Sequence, residues 1–450
     1  FKEIGFRIAL YSNLGFLMIS REEIKEGLEI LQLGELLYNQ NIENIKLESI
    51  ISISLTSLLE FTQKRIGSEI NIIKLPFYEK AQNIHLIENS YTLILFYLAQ
   101  TWSKLDRRDL TSMYAANTLK RQVNEYYSYD FSIDFADCSN NCIGLAKYFA
   151  LDQNFAQALH FVDIGLEMVS VNQFPIETGI LLLHKGMIYR LLFEYGVDIL
   201  LNNSEQKDTI LKESLNKCNQ ISIEIKSIKN NLFENTLFEN YENLKIIFKS
   251  AFEFYNKAQE LLPFDGQVSD YCEVIKEKLR LYTASLKIEQ DSKRVEAILS
   301  RKIEIINPIL DQLNPKFYEN QVVELEVEMA DSLSNLFEVY LKSFESGAKI
   351  VKKLNSTGRD ALNHWDKVGN YTKKTLEDNL QGYVNSLFSK SRILTKLKEK
   401  NKYRENMVQV LNCYKEAVNV LKEQKELKKV LNEKLEYQLK ISMEFCEMLP

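Results

Sequence analysis

Apolar residues recur at three- and four-residue spacing along nearly the whole chain, and no stretch alternates apolar and polar residues between turn signals. That period gathers apolar side chains on one face of a helix, so the chain is confined to helices packed on helices. The 450 residues include only 6 prolines and 15 glycines, too few to supply the turns of a many-stranded fold. With 45% apolar and 26% charged residues, the chain can bury a large core and is long enough for two domains. The expected class is all-α.

Helix breakers are expected at Pro76, Pro175, Pro263, Pro308 and Pro315. The clearest loop is Leu262-Pro-Phe-Asp-Gly266, and Asp270 with Glu273, spaced as an N-cap and its N3 acid, predicts a new helix beginning there. A domain boundary near this loop divides the chain into an N-terminal subdomain, 1–255, and a C-terminal helical subdomain, 256–450. The polar stretches Asn39 to Asn44 and Asn202 to Asp208 read as loops.

One pattern recurs. Tetratricopeptide repeats ask for a bulky residue, two free positions, Leu and a small residue, two free positions and a second bulky residue. Tyr11, Leu14, Gly15 and Met18 fit it, with Gly27 and Gly34 following; so do Leu95, Leu98, Ala99 and Trp102. Cys142, Leu145, Ala146 and Phe149 fit it best, continuing through Phe155, Ala158, Val162 and Gly165, while Leu182, Gly186 and Tyr189 make a weaker fourth unit with Lys185 in place of Leu. Leu and the small residue are expected to face the second helix, because a larger residue there pushes the axes beyond the usual separation of about 8 to 10 Å. Starts at 11, 95 and 142 imply insertions, so the expected architecture is an irregular tetratricopeptide-like right-handed α-solenoid of antiparallel helix pairs.

Signals for catalysis are missing. The 4 histidines, His85, His160, His184 and His364, lie outside any metal-protease or nucleophile-elbow context, and Ser346-Gly-Ala-Lys349 lacks the spacing of a phosphate loop. Cys138 and Cys142 are one helical turn apart, but no second pair completes a metal site, and all 6 cysteines (Cys138, Cys142, Cys218, Cys272, Cys413, Cys446) read as thiols of a reducing compartment. Acidic pairs such as Glu22 with Glu23 and Asp106 with Asp109 read as solvated faces and caps. No enzyme activity, cofactor, metal or small-molecule substrate is expected. A net charge of −6 does not favour nucleic acid or an anionic membrane. The longest apolar stretches, Tyr91 to Ala99 and Gly179 to Leu183, fall short of the roughly 20 residues of a membrane span. The chain starts at Phe1 rather than a methionine, which fits a fragment. The run Lys390, Arg392, Lys396, Lys398, Lys400, Lys402 and Arg404 reads most simply as a solvated helix end, with an acidic partner as the alternative.

In such an array the first helix of each pair lines a groove through its positions two, five, six and nine. These are Ala9, Ser12, Asn13 and Phe16; then Leu93, Phe96, Tyr97 and Gln100; then Asn140, Ile143, Gly144 and Lys147. A mixed polar and aromatic wall of this kind suits a helix or a peptide.

Tyr97-Leu-Ala-Gln100 and Thr118-Leu-Lys-Arg-Gln122, together with Arg21-Glu-Glu-Ile24 and Leu37-Tyr-Asn-Gln40, resemble segments of the KIF-binding protein family. Matches continue in order: Phe264-Asp-Gly266 with Ser269, Asp270, Glu273 and Val274; Leu313-Asn-Pro315 with Tyr318; Ile350-Val-Lys-Lys353 with Asn355; and Met448-Leu-Pro450. The resemblance implies a two-subdomain tetratricopeptide-like solenoid that grips the microtubule-binding surface of kinesin motor domains, a cytoplasmic, cytoskeleton-associated motor inhibitor acting as a monomer. It implies partner contacts at Tyr97 and Gln100. Gly144 and Lys147 stand where the family carries Thr and Gln, and a family segment that precedes the matched region and helps form the motor-binding surface has no match in this chain. Asn13 and Phe96 complete the expected partner-binding set. The alternative is a general scaffold or co-chaperone that captures acidic peptide tails through groove cations such as Lys147.

Overall fold

The computed structural model describes residues 2–66, 76–128, 135–169, 174–202, 241–347, 349–426 and 431–448. Every regular element among them is helical. They form α1 (Lys2–Ser20), α2 (Ile24–Ile66), α3 (Pro76–Lys104), α4 (Arg108–Ser128), α5 (Phe135–Leu151), α6 (Phe155–Met168) and α7 (Pro175–Asn202). Then follow α8 (Tyr241–Leu261), α9 (Val268–Leu286), α10 (Ser292–Gln312), α11 (Glu319–Glu345), α12 (Val351–Lys374), α13 (Leu376–Lys396), α14 (Tyr403–Glu426) and α15 (Glu433–Met448). The fold is an α-solenoid of helix pairs divided into two compact units. The first contains the described residues up to Ile188, and the second those from Tyr189 onward. The division expected after residue 255 lies inside α8, a helix that belongs wholly to the second unit.

In the first unit α1 pairs with α2, α3 with α4 and α5 with α6, in the register read from the repeats. All three pairs close with one and the same turn. Met18, Trp102 and Phe149, the last bulky residues of the three signatures, each accept a backbone hydrogen bond from the residue five positions on: Glu23 at 3.0 Å, Arg107 at 2.9 Å and Asn154 at 2.8 Å. The residue before each donor is left-handed, with φ of 67° at Glu22, 54° at Asp106 and 60° at Gln153. This is the Schellman arrangement, which satisfies carbonyls that a helix end leaves open. The acids of the two exposed pairs thus sit in or beside interhelical turns, where Arg107 Nη2 holds Asp109 at 2.9 Å.

The small positions do what their spacing demands. A Cβ on Gly27 would meet Ile19 Cγ1 at 2.7 Å and the Gly15 carbonyl oxygen at 3.1 Å, so α1 and α2 cross with backbone against backbone. Gly27→Ala is expected to cost about 1 to 3 kcal/mol, because the new methyl overlaps the Ile19 side chain and main-chain atoms at 3.1 and 3.2 Å leave it little room to shift; a thermal melt with an unchanged midpoint would contradict this. Leu98 and Leu145 are 0% and 2% exposed, as the repeat requires, whereas Leu14 is 38% exposed. Leu14 departs because α1 packs on α2 and α3, which draw in Ile8, Ser12, Gly15 and Ile19 instead.

Three local expectations are corrected. Asn39 to Asn44 is not a loop but part of the 43-residue α2, where Asn41 Nδ2 donates to the Leu37 carbonyl at 2.8 Å. Pro308 lies inside α10, in its last turns, on an exposed face where one missing N–H is cheap. The helix expected to start at Asp270 starts at Val268, after Gln267, and Asp270 sits in its first turn. Of the Asn202 to Asp208 stretch, Asn202 ends α7 and the rest lies outside the described residues.

The second unit stacks α8 through α15 in order, each helix against the next. Its core runs from Cys272 and Leu279 through Leu325, Phe337, Leu354 and Trp365 to Val410. Charged groups are folded into it. Glu326, 4% exposed, accepts from His364 Nδ1 at 2.5 Å and from Lys367 Nζ at 2.9 Å. Burial opposes ionisation of this carboxyl, but the two hydrogen bonds outweigh it and hold the group below the usual carboxylate range. A pKa depressed on folding gives stability that is complete above the unfolded value of about 4.3 and is lost as pH falls through the lower folded value. Glu326→Gln should therefore flatten the fall in unfolding free energy below about pH 4.3. Identical acid slopes for the two proteins in urea titrations would refute the coupling.

Candidate partner-binding groove

The first helices of the first two pairs, α1 and α3, lie side by side. On α3, Leu95, Leu98 and Ala99 point into the core, which leaves Leu93, Phe96, Tyr97 and Gln100 on the other side. Leu93 is 45% exposed, Phe96 and Tyr97 are half-buried and Gln100 is exposed. Across from them Phe16 of α1, 43% exposed, stacks on Tyr97 with ring centroids 4.9 Å apart and planes 29° from parallel. Phe96 flanks Tyr97 at 5.6 Å. The three rings form an aromatic shelf open to solvent, with the amide of Gln100 at its edge one turn beyond Phe96. Among the described residues the Tyr97 hydroxyl makes no hydrogen bond. Asn13 is exposed on α1, one turn before Phe16, and extends the same surface.

Other expected groove residues fall elsewhere. Ser12 is 2% exposed and Ile143 is 6% exposed, so both face inward. Asn140, Gly144 and Lys147 do form an exposed strip on α5, at intervals of four and three residues. A Cβ on Gly144 would meet nothing within 4 Å, so packing does not require glycine there. No hydrogen bond or ring contact among the described residues joins this strip to Tyr97. The structure therefore brings Asn13, Phe16, Phe96, Tyr97 and Gln100 together and leaves Gly144 and Lys147 on a separate helix.

A polar network behind the shelf fixes the rotation of α3. Arg121 of α4 donates from Nε to Thr92 Oγ1 at 3.0 Å and from Nη1 to the Tyr38 hydroxyl at 3.1 Å, and it forms an ion pair with Glu88. The Tyr38 hydroxyl donates to Glu88 Oε2 at 2.9 Å. Its ring stacks on Tyr91 with centroids 3.5 Å apart, and the guanidinium lies 4.8 Å from the Tyr91 centroid. Burial, with Glu35 and Glu88 nearby, pushes the Tyr91 phenol up to about 12, so it stays neutral. Tyr114 closes the cluster by donating to Glu35 Oε2 at 3.0 Å. Three helices meet here, and Glu88, Tyr91 and Thr92 hold α3 with Leu93, Phe96 and Tyr97 turned outward. Arg121→Ala should cost about 2 to 3 kcal/mol through loss of charged hydrogen bonds. It stays below the cost of a fully buried pair because the two side chains keep 20% and 25% exposure. A denaturation midpoint equal to that of the unsubstituted protein would refute the network's role. Reading the sequence missed this cluster, although Tyr38 and Arg121 lie in two of the segments that carry the family resemblance.

Other chemistry is sparse. Among the described residues no three His, Cys, Asp or Glu side chains gather as a metal site, and no helix is long and apolar enough to cross a membrane. Cys138, Cys142, Cys272, Cys413 and Cys446 are free thiols, and Cys218 lies outside the described residues. A hydrogen bond with Cys138, and burial after it, push the Cys142 thiol up.

Residues 197–450 match the family model described as KIF-1 binding protein C terminal, more than half of the chain. The chain belongs to the KIF-binding protein family. A KIF-binding protein of Bos taurus is 23% identical over 500 residues, covering 99% of this chain and 76% of the relative. One from Dictyostelium discoideum is 22% identical over 421 residues, covering 75% and 67%. A solved structure of kinesin binding protein superposes with a TM-score of 0.56 at 17% identity, covering 98% of this chain and 78% of the other, and the two share the fold. Several residues that signal the KIF-binding protein family hold the solenoid together. Beside Tyr38 and Arg121, Phe264 packs edge-on against Tyr271 at 5.4 Å, and Asn314 accepts backbone bonds from Phe317 and Tyr318 at 3.1 Å.

Proposed function

We propose that this protein binds kinesin motor domains through the aromatic shelf of its first unit and thereby keeps them from attaching to microtubules. The observation that carries this reading is the stack of exposed Phe16 on half-buried Tyr97, flanked by Phe96 with Gln100 at its edge, on the faces of α1 and α3 turned away from the core. Aromatic groups that are already ordered and partly open lose little conformational entropy when a partner covers them, which is what a binding hot spot needs. The partner class rests on the family, whose relatives are named for binding KIF proteins. Inhibition follows from bulk: a chain of 450 residues seated on the track-facing surface of a motor blocks the track without any chemistry. Gly144 and Lys147 lie on the next first helix and extend the contact to a partner large enough to span α3 and α5, and the site of action is the cytoplasm. The reading is tested by titrating fluorescently labelled kinesin motor domains from the same organism with the purified chain. Saturable one-to-one binding of at least one motor is expected, and no binding across the panel would overturn it.

A further inference from the structure

The second unit carries a strip in which cations outnumber the carboxylates that its own fold sets against them. Residues 396 to 404 read Lys-Leu-Lys-Glu-Lys-Asn-Lys-Tyr-Arg, five cations and a single acid, in a chain whose net charge is −6. The acid is taken out of play. Arg359 of α12 donates from Nε to Glu399 Oε1 at 3.2 Å, and its other arm bonds both Glu399 and Asn406. The Arg359 hydrogen bond holds this carboxyl below the usual range, so it stays an anion already matched to a cation. Lys396 is matched too, to Glu338 at 2.7 Å, as is Lys390 to Asp366. Lys398, Lys402 and Arg404 are exposed and form no ion pair with a carboxylate among the described residues, although Lys402 lies close enough to Glu399 to help hold it ionised, and Tyr403, next to Lys402, is 62% exposed.

The strip is also held rigid. Asn355 of α12 accepts from the backbone N–H of Lys398 at 2.9 Å and donates to its carbonyl at 3.2 Å, pinning the connection between α13 and α14 to the first turns of α12. Lys352, three residues before Asn355, is exposed at the same helix end without a carboxylate partner among the described residues. An ordered cluster of cations with its internal acid neutralised presents a positive field at no cost in loop ordering on binding.

We propose that Lys398, Lys402 and Arg404, with Tyr403 and Lys352, form a docking surface for an extended acidic peptide segment of a protein partner. A peptide fits better than a polymer of phosphates or a lipid surface. The cations are few, exposed Glu405 follows directly on Arg404, and the net negative chain repels long polyanions whereas a short segment can lie within the strip. The surface belongs to the second unit and stands or falls independently of the shelf on α1 and α3.

The test is fluorescence anisotropy of a labelled ten-residue peptide of alternating Glu and Gly with the full chain at low salt. Saturable binding that weakens with added salt is expected, with a loss of tenfold or more for the triple variant Lys398→Glu, Lys402→Glu, Arg404→Glu. Lys398→Arg with Lys402→Arg should stay within about twofold, since charge is kept, and Asn355→Ala should weaken binding without changing charge. Circular dichroism melts report that each variant is folded. Absence of saturable binding, equal binding by the charge-reversed variant, or tighter binding of single-stranded polyuridine or phosphatidylserine vesicles than of the peptide would overturn the assignment.

Discussion

Glu277→Ala is expected to destabilise the second unit by about 3 to 5 kcal/mol, the range for removing one partner of a buried ion pair. Glu277 has no exposed surface, and its carboxylate accepts from Arg190 Nε at 2.6 Å, from the Tyr255 hydroxyl at 3.1 Å and from Arg280. Arg190 is itself 9% exposed and bonds Glu194 at 2.7 Å. Truncation leaves a buried guanidinium with one carboxylate instead of two and takes away the acceptor of the Tyr255 hydroxyl, which then keeps only its contact with Arg190, and this far outweighs the lost packing of a short side chain. The chain has 2 tryptophans, Trp102 in the first unit and Trp365, 5% exposed, in the core of the second. A Trp102→Phe background therefore lets urea unfolding be followed at Trp365 alone. The midpoint should drop sharply for Glu277→Ala and less for Glu277→Gln, which keeps an acceptor. Equal midpoints for all three proteins would show that the network contributes little.

Replacing Tyr97 and Gln100 together by Ala is expected to weaken motor binding by about 2 to 4 kcal/mol, roughly thirtyfold to a thousandfold. Both side chains are at least partly exposed, and the core beneath them is made by Leu95, Leu98 and Ala99, so the fold should be spared. Phe16 stacks on Tyr97, so Phe16→Ala and Tyr97→Ala should be non-additive in a double-mutant cycle. An affinity within twofold of the unsubstituted chain would remove these residues from the site while leaving the solenoid intact.

The first unit was legible in sequence because its repeat positions are set by close helix contact. Gly15 and Gly27 meet backbone to backbone, and Met18, Trp102 and Phe149 end their helices in the same turn. Elsewhere local signals misled for identifiable reasons. The polar run from Asn39 to Asn44 reads as a loop, yet Tyr38 and Ile45 on either side are buried and carry α2 straight through it. Pro308 reads as a stop, but a helix tolerates it near its end on the solvent side. The left-handed residues Glu22, Asp106 and Gln153 share no residue type that announces the conformation; only their fixed distance from the last bulky residue of each signature marks them. Half of the groove was legible for a related reason. Positions six and nine are exposed in all three first helices except at Tyr97, which is half-buried, whereas Ser12 and Ile143, at position five, turn inward. The network of Tyr38, Glu88 and Arg121 draws on residues up to 83 apart, a pairing that periodicity along one helix cannot encode.

Competition between this chain and microtubules for kinesin motor domains is tested most directly by co-sedimentation. Motor domains from the same organism are bound to stabilised microtubules with a non-hydrolysable nucleotide and centrifuged with increasing amounts of the chain. At least one motor is expected to move from pellet to supernatant with the chain bound to it, and the Tyr97→Ala, Gln100→Ala protein is expected to fail to move it at equal concentration. Motors that stay in the pellet throughout the panel, or that carry the chain down with them, would contradict it.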